Sequence, residues 1–297
     1  LTMAKRATAA GLKVLVDFHY SDFWADPSKQ QVPKAWKSFE GDADKTADTV
    51  YDYTKQTLTT FKQAGVDVGM VQVGNETTAK IAGISGWDGM SKVFSAGSKA
   101  IREVLPEAKV VIHFTNPEKA GTYATYAKQL SNHNVDYDVF ASSYYPFWHG
   151  TLQMLEDNMN DMAARYGKEL IVAEVSMGYT MEDYKQYEKL KDSERKGYAT
   201  KPELVAKIEY PMTVQGQADF TKDFLNRVAH VRDNKGLGFF WWEPAWIPVP
   251  GSGWATPASL KYMNDPGPCG NEWANQALFD YDGNVLPALE VIKDFKK

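Results

Sequence analysis

Short apolar runs that close on polar residues recur along this chain, and a helical pattern follows each one. The runs are Val14–Phe18 (VLVDF), Met70–Val73 (MVQV), Lys109–Thr115 (KVVIHFT), Asp138–Trp148 (DVFASSYYPFW), Glu169–Ser176 (ELIVAEVS) and Gly236–Trp242 (GLGFFWW). Near-continuous apolar content marks strands covered on both faces, as parallel sheets require. Helical patterns end at Gly11, run over 44–64 with Gly65 as a stop, over 90–104 before Pro106, from Asn116-Pro117 onward, over 152–166, over 215–233 and beyond Pro287. Each strand–helix unit takes ~30–50 residues, the signature of parallel α/β architecture. A doubly wound open sheet is disfavoured, because no glycine-rich phosphate turn follows the first strand. The expectation is therefore an α/β fold, a (β/α)8 TIM barrel, with residues 1–297 as a single catalytic domain. Six such units are visible where a closed barrel has eight. Since the sequence opens on a helical pattern, the first two units are expected ahead of Leu1.

Barrels of this kind keep their chemistry at the C-terminal ends of the strands. The second run stops on Gly74-Asn75-Glu76, and the fifth carries Glu174 at its tip. Glycoside cleavage needs two carboxylates flanking the scissile bond, one serving as acid and the other as nucleophile or base. Either glutamate alone could be a solvated strand-end carboxylate or half of a buried ion pair. The aromatic residues of the expected loops (Trp24, Trp36, Trp87, Trp148, Trp246 and Trp254) weigh toward a sugar-stacking cleft, although buried indoles in a core explain any single one equally well. Asn75 could bond a sugar hydroxyl and hold the acid in place. It also opens a formal glycosylation sequon, Asn75-Glu76-Thr77, which the end of a core strand makes accidental. His19 could act as base, metal ligand, hydroxyl partner or structural imidazole.

Other chemistries fare worse. The five histidines form no HExxH spacing, and no GxSxG elbow for a serine nucleophile is present. With 33 basic and 38 acidic residues, a net charge of −5 argues against binding nucleic acid through phosphates. No apolar run approaches the ~20 residues that span a bilayer. Cys269 stands alone, so no internal disulfide can form. The charged passage from Tyr179 to Tyr210 reads as a solvated excursion, and 248–275 as an irregular Gly/Pro-rich loop.

The ordered set DFHYSDFWADPSKQ, VQVGNE, SSYYPFW, IVAEVS, TVQGQ and WWEPAWIPV resembles glycoside hydrolase family 53, the endo-β-1,4-galactanases. GSGWAT and NQALFDYDGNVLPAL extend the likeness nearly to the end. The resemblance implies a barrel that hydrolyses β-1,4-galactan or type I arabinogalactan with retention of configuration. It implies that Glu76 is the acid/base, Glu174 the nucleophile and Asn75 the amide beside the acid. His19 and Asp22 are then cleft residues of the HYSD motif, and Tyr144 (with Tyr145 as an alternative) the tyrosine supporting the nucleophile. Trp242 becomes the floor of the subsite at the cleaved bond, with Trp246 and Trp148 as further sugar contacts. An arginine that the family supplies from an earlier strand has no counterpart here. A calcium loop found in some members is not carried over, because MEDYKQYEKLKDSERK lacks the spacing of oxygen ligands that calcium favours. No cofactor or metal is expected. The expected partner is the polysaccharide, with no nucleic acid and no membrane, and the protein is expected as a monomer. The resemblance places it as secreted or at the cell surface or periplasm, although no signal peptide is visible at Leu1. Two other readings keep the same residues: a galactan-binding barrel that no longer cleaves, and a sibling glycanase acting on mannan, xylan or glucan.

Overall fold

Each expected strand forms, and the helices between them follow the apolar spacing. The computed structural model describes residues 1–182, 199–249, 253, 255–264 and 271–296; residues 183–198 of the charged passage, Trp254 and Cys269 lie outside them. In chain order, α1 (Thr2–Ala9) leads to β1 (Val14–Phe18), α2 (Ala43–Gln63) and β2 (Val68–Val73). A small hairpin, β3 (Lys80–Ile81) and β4 (Ile84–Ser85), precedes α3 (Trp87–Val104), β5 (Lys109–Phe114) and α4 (Thr122–Asn132). Then come β6 (Val139–Tyr144), α5 (Leu152–Tyr166), β7 (Glu169–Val175), α6 (Pro202–Val205) and α7 (Val214–Ala229). The chain closes with β8 (Gly236–Trp241), α8 (Pro257–Met263) and α9 (Pro287–Asp294). No helix among the described residues is long and apolar enough to cross a membrane.

Local chemistry sets the helix ends. The Asp42 side chain accepts from Lys45 N at 3.0 Å and caps α2, which stops as Gly65 takes φ 71°. One boundary differs from the sequence reading. Asn116-Pro117 does not open α4; Asn116 turns the chain with φ 68°, and the helix starts only after Gly121.

The residues cluster into two compact units: Leu1–Thr115, Ala120–Ser143 and Ala164–Ile171 form one, and Asn116–Lys119, Tyr144–Ala163 and Val172–Lys297 the other. In the first unit the strands run in the hydrogen-bonded order β1-β2-β5-β6, with the start of β7 next. The β1–β2, β2–β5 and β5–β6 pairs are parallel, and their register aligns Asp17 with Gln72, Gln72 with Val111, and His113 with Ala141. Side chains alternate along a strand, so Asp17, Gln72, His113 and Ser143 share one face. The opposite face carries Val71, Val73, Val110, Ile112, Phe114 and Phe140, all buried. Phe94 of α3 meets Phe114 edge-on at 6.3 Å, and Phe114 meets Phe140 at 5.3 Å. Gly97 lets α3 approach closely, since a Cβ there would stand 2.6 Å from Val73 Cγ1. In the second unit the end of β7 neighbours β8. Tyr144, Phe220 and Phe224 stack in its core, and Phe224 meets Phe239 of β8 edge-on. Gln217 of α7 donates to the Met177 and Ala277 carbonyls, tying the exit of β7 to the segment before α9.

Phe94 has no solvent exposure. Phe94→Ala is expected to cost about 3–5 kcal/mol of unfolding free energy, measured by urea denaturation.

Candidate active site

Glu76 sits at the exit of β2, only 8 % exposed, on a backbone held at φ 46°. Left-handed φ is costly for a side chain with a Cβ, and it persists only where the surroundings over-determine it. The surroundings here do so. Gly74, at φ 81°, starts the turn, and a Cβ there would meet Thr77 Cγ2 at 2.5 Å. Thr77 clamps the turn to β5, its backbone N and its Oγ1 both donating to the His113 carbonyl at 2.9 and 2.8 Å. The Ser143 hydroxyl then donates to Glu76 Oε1 at 2.5 Å.

Asn75 anchors the same turn from the other side. Its Nδ2 donates to Ala25 O at 2.8 Å, and its Oδ1 accepts from Gln72 Nε2 at 3.0 Å and faces His113 Nδ1 at 2.8 Å. Gln30 donates to the Asn75 carbonyl at 2.7 Å. The loop after β1 is fixed in turn by His19, whose Nδ1 accepts from Ala25 N at 2.8 Å while its Nε2 donates to Asp17 at 3.2 Å. Asp22 lies farther out, its carboxylate accepting from Lys34 N at 2.6 Å. Both residues of the HYSD motif thus hold the loop that holds Asn75.

In the second unit Glu174 is 7 % exposed near the end of β7, and the Tyr145 hydroxyl donates to its Oε2 at 2.6 Å. Tyr145 belongs to an aromatic cluster with Phe147 and Trp273, against which Trp242 and Trp246 pack. Trp242 is fixed by its backbone N donating to Val175 O at 2.8 Å, and Trp246 by its indole N–H donating to Asn271 Oδ1 at 2.9 Å. Trp148 packs edge-on against Tyr145 at 5.6 Å and remains 40 % exposed. His149 closes the turn after β6, its Nδ1 accepting from Tyr145 N at 3.0 Å. Burial, with Lys119 adding to it, pushes the His149 pKa down to about 3, so the ring stays neutral as that bond requires. Each glutamate is therefore a buried carboxyl at a strand exit that accepts a hydrogen bond from a neighbouring hydroxyl.

The family model for glycosyl hydrolase family 53 matches residues 1–292. The chain belongs to that family. Among its relatives, the endo-β-1,4-galactanase of Bacillus subtilis (strain 168) is 47 % identical, over 99 % of this chain and 70 % of the relative. The arabinogalactan endo-β-1,4-galactanase of Cellvibrio japonicus (strain Ueda107) is 32 % identical, over 97 % of this chain and 73 % of the relative. Among solved structures, the GH53 catalytic domain of Ignisphaera aggregans superposes with a TM-score of 0.86 at 35 % identity, covering 98 % of this chain and 76 % of that one. The fold class is that of (β/α)8 barrel enzymes, of which this chain contributes the six strands β1, β2, β5, β6, β7 and β8.

For this family 53 chain one assignment is corrected. The tyrosine that meets Glu174 is Tyr145, not Tyr144. Tyr144, the last residue of β6, points to the helix-covered face, stacks with Phe220 and Phe224, and gives its hydroxyl proton to Gly150 O at 2.8 Å. It has no exposure and so no surface to offer a sugar. Strand alternation turns the next residue the other way. The sequence reading also passed over His113, Ser143 and Gln72. A signal for them existed: polar residues at alternate positions inside apolar strands mark a buried polar face.

Tyr145→Phe is expected to lower kcat on the polymer about 10- to 100-fold, since it removes an oriented donor from the Glu174 carboxylate. Tyr144→Phe should keep kcat within about twofold and cost about 1 kcal/mol in stability; steady-state kinetics and urea denaturation of both variants check this. His149 predicts a pH effect of definite sign. The unfolded ring takes up a proton below about 6.5, whereas the folded ring resists until about 3, so its contribution is present above that window and lost as pH falls through it. His149→Asn should flatten the loss of thermal stability between those two pH values.

Proposed function

We propose that this chain is a retaining endo-β-1,4-galactanase acting on galactan and type I arabinogalactan. The observation that carries the reading is membership of family 53 at 47 % identity to an endo-β-1,4-galactanase. Two buried strand-exit carboxylates, each served by its own hydroxyl donor, support the assignment of roles. Residues 1–297 act as one catalytic domain. Glu174 attacks the anomeric carbon while Glu76, protonated, gives its proton to the departing glycosidic oxygen. Water then enters from the side the leaving group vacated, with Glu76 taking its proton, and two inversions give net retention. Tyr145 orients Glu174, and Asn75 with His19 and Asp22 holds the acid's turn. Trp242, Trp246 and Trp148 offer ring faces to the sugar chain. The polymer substrate places the enzyme outside the cytoplasm, and it acts as a monomer without a cofactor.

Reducing ends released from β-1,4-galactan, set beside a panel of mannan, xylan and glucan, test the substrate. Activity on galactan with products of retained anomeric configuration by proton NMR is the expected outcome. Binding without release would make this a lectin-like barrel, and preference for another polymer would make it a sibling glycanase. Glu174→Gln is expected to reduce turnover by at least about 10³-fold while still binding galacto-oligosaccharide; near-normal hydrolysis would remove Glu174 from the mechanism.

A further inference from the structure

His113 is fully buried inside β5, and its two ring nitrogens meet two acceptors. Asn75 Oδ1 lies 2.8 Å from Nδ1. That amide cannot be turned around, because its nitrogen donates to the Ala25 carbonyl at 2.8 Å. Nδ1 therefore carries a proton. Glu76 N at 3.4 Å and Gln72 Nε2 at 3.1 Å also approach Nδ1. The first contact is long, and Gln72 spends its amide hydrogens on Asn75 Oδ1 and on Asp17. At the other end, Nε2 lies 2.9 Å from Ser143 Oγ. Ser143 has a single proton, and the shorter contact, 2.5 Å to Glu76 Oε1, claims it. Nε2 can bond Oγ only by bringing a proton of its own.

We propose that His113 is an imidazolium and a positioning residue for Glu76: through Ser143 it fixes Oε1 as an acceptor, puts the transferable proton on Oε2, and balances the carboxylate once that proton has left. The inference rests on the reading of Glu76 as acid/base. In the first step the Oε2–H bond breaks, the proton joins the glycosidic oxygen, and that oxygen keeps the electron pair of its broken bond to carbon. Glu174 forms the new bond to the anomeric carbon. In the second step a water oxygen bonds to that carbon, Glu174 leaves with the electron pair, and the water's proton returns to Oε2. Ser143 and His113 keep their protons throughout. One negative charge alternates between Glu174 and Glu76, and the fixed positive charge offsets it while it sits on Glu76. Within the first unit, titratable groups facing His113 include Glu76, through Ser143, and Asp17, through Gln72; Asp17 is paired with His19.

Nitrogen-15 NMR of the histidine-labelled chain, with the His113 signals assigned from His113→Gln, tests the protonation directly. Both ring nitrogens are expected to be protonated across the pH range of activity; an unprotonated Nε2 in that range overturns the proposal. His113→Gln and Ser143→Ala should lower kcat on galactan about 10- to 100-fold, with the alkaline limb of the rate profile moving upward, because loss of a nearby positive charge in the first, and of a hydroxyl donor to the carboxylate in the second, raises a carboxyl pKa. Ser143→Thr, which keeps the hydroxyl, should recover to within about threefold. An aryl galactoside with an activated phenol needs no proton from Glu76, so both variants should lose less than about threefold on it. Equal losses on both substrates with an unmoved alkaline limb would reduce His113 to a structural role and overturn the proposal. Glu76→Ala separates the two levels. Near-normal galactan hydrolysis by that variant removes Glu76 as acid/base whatever His113 does. A galactan-specific loss alongside a neutral His113 removes only the inference about the imidazole.

Discussion

The first unit is organised around a polar stripe whose buried members, Gln72, His113 and Ser143, have to be satisfied by protein partners. Asp17, Gln72, His113 and Ser143 project from adjacent strands onto one face, while the reverse face is filled with valine, isoleucine and phenylalanine. An unpaired buried polar group costs about 1–3 kcal/mol, so such a stripe is tolerated only when every member finds a partner. Here the partners are one another and the turn that follows β2. Satisfying the stripe therefore fixes Asn75 and Glu76. The hydrogen bonds that stabilise this interior are the same ones that aim the Glu76 carboxyl.

A second regularity lies in how the strands end. Tyr20 after β1, Glu76 after β2, Asn116 after β5 and Glu243 after β8 all have left-handed backbones without being glycine. Each reverses the chain sharply at the end where barrel enzymes keep their chemistry. At Glu76 the strain is offset by the clamp of Thr77 on the His113 carbonyl and by the Asn75 amide. At Glu243 burial alone raises the carboxyl pKa above its ordinary value, as expected of a carboxyl held against apolar neighbours.

The two glutamates are served in different ways, which suits different tasks. Glu76 is reached by a serine backed by an imidazole, a chain that can hold charge. Glu174 is reached by a phenol set in an aromatic cluster, a rigid donor in apolar surroundings.

The alternation of apolar runs with helical patterns determined the parallel α/β class, because a strand covered on both faces has few other uses. The placing of Glu76 and Glu174 at strand tips followed from the same runs. Motif order carried the family. What the sequence could not decide was which of two adjacent tyrosines turns toward Glu174. That depends on the register of β6, whose last residue faces the helices and commits Tyr144 to the core. Nor could it decide that His113 belongs with Glu76: the two are remote in sequence and joined only by the β2–β5–β6 pairing and the Ser143 between them. Alternation is a local property and is written in the chain. Which alternating side chains meet is set by strand pairing, which only the tertiary structure supplies.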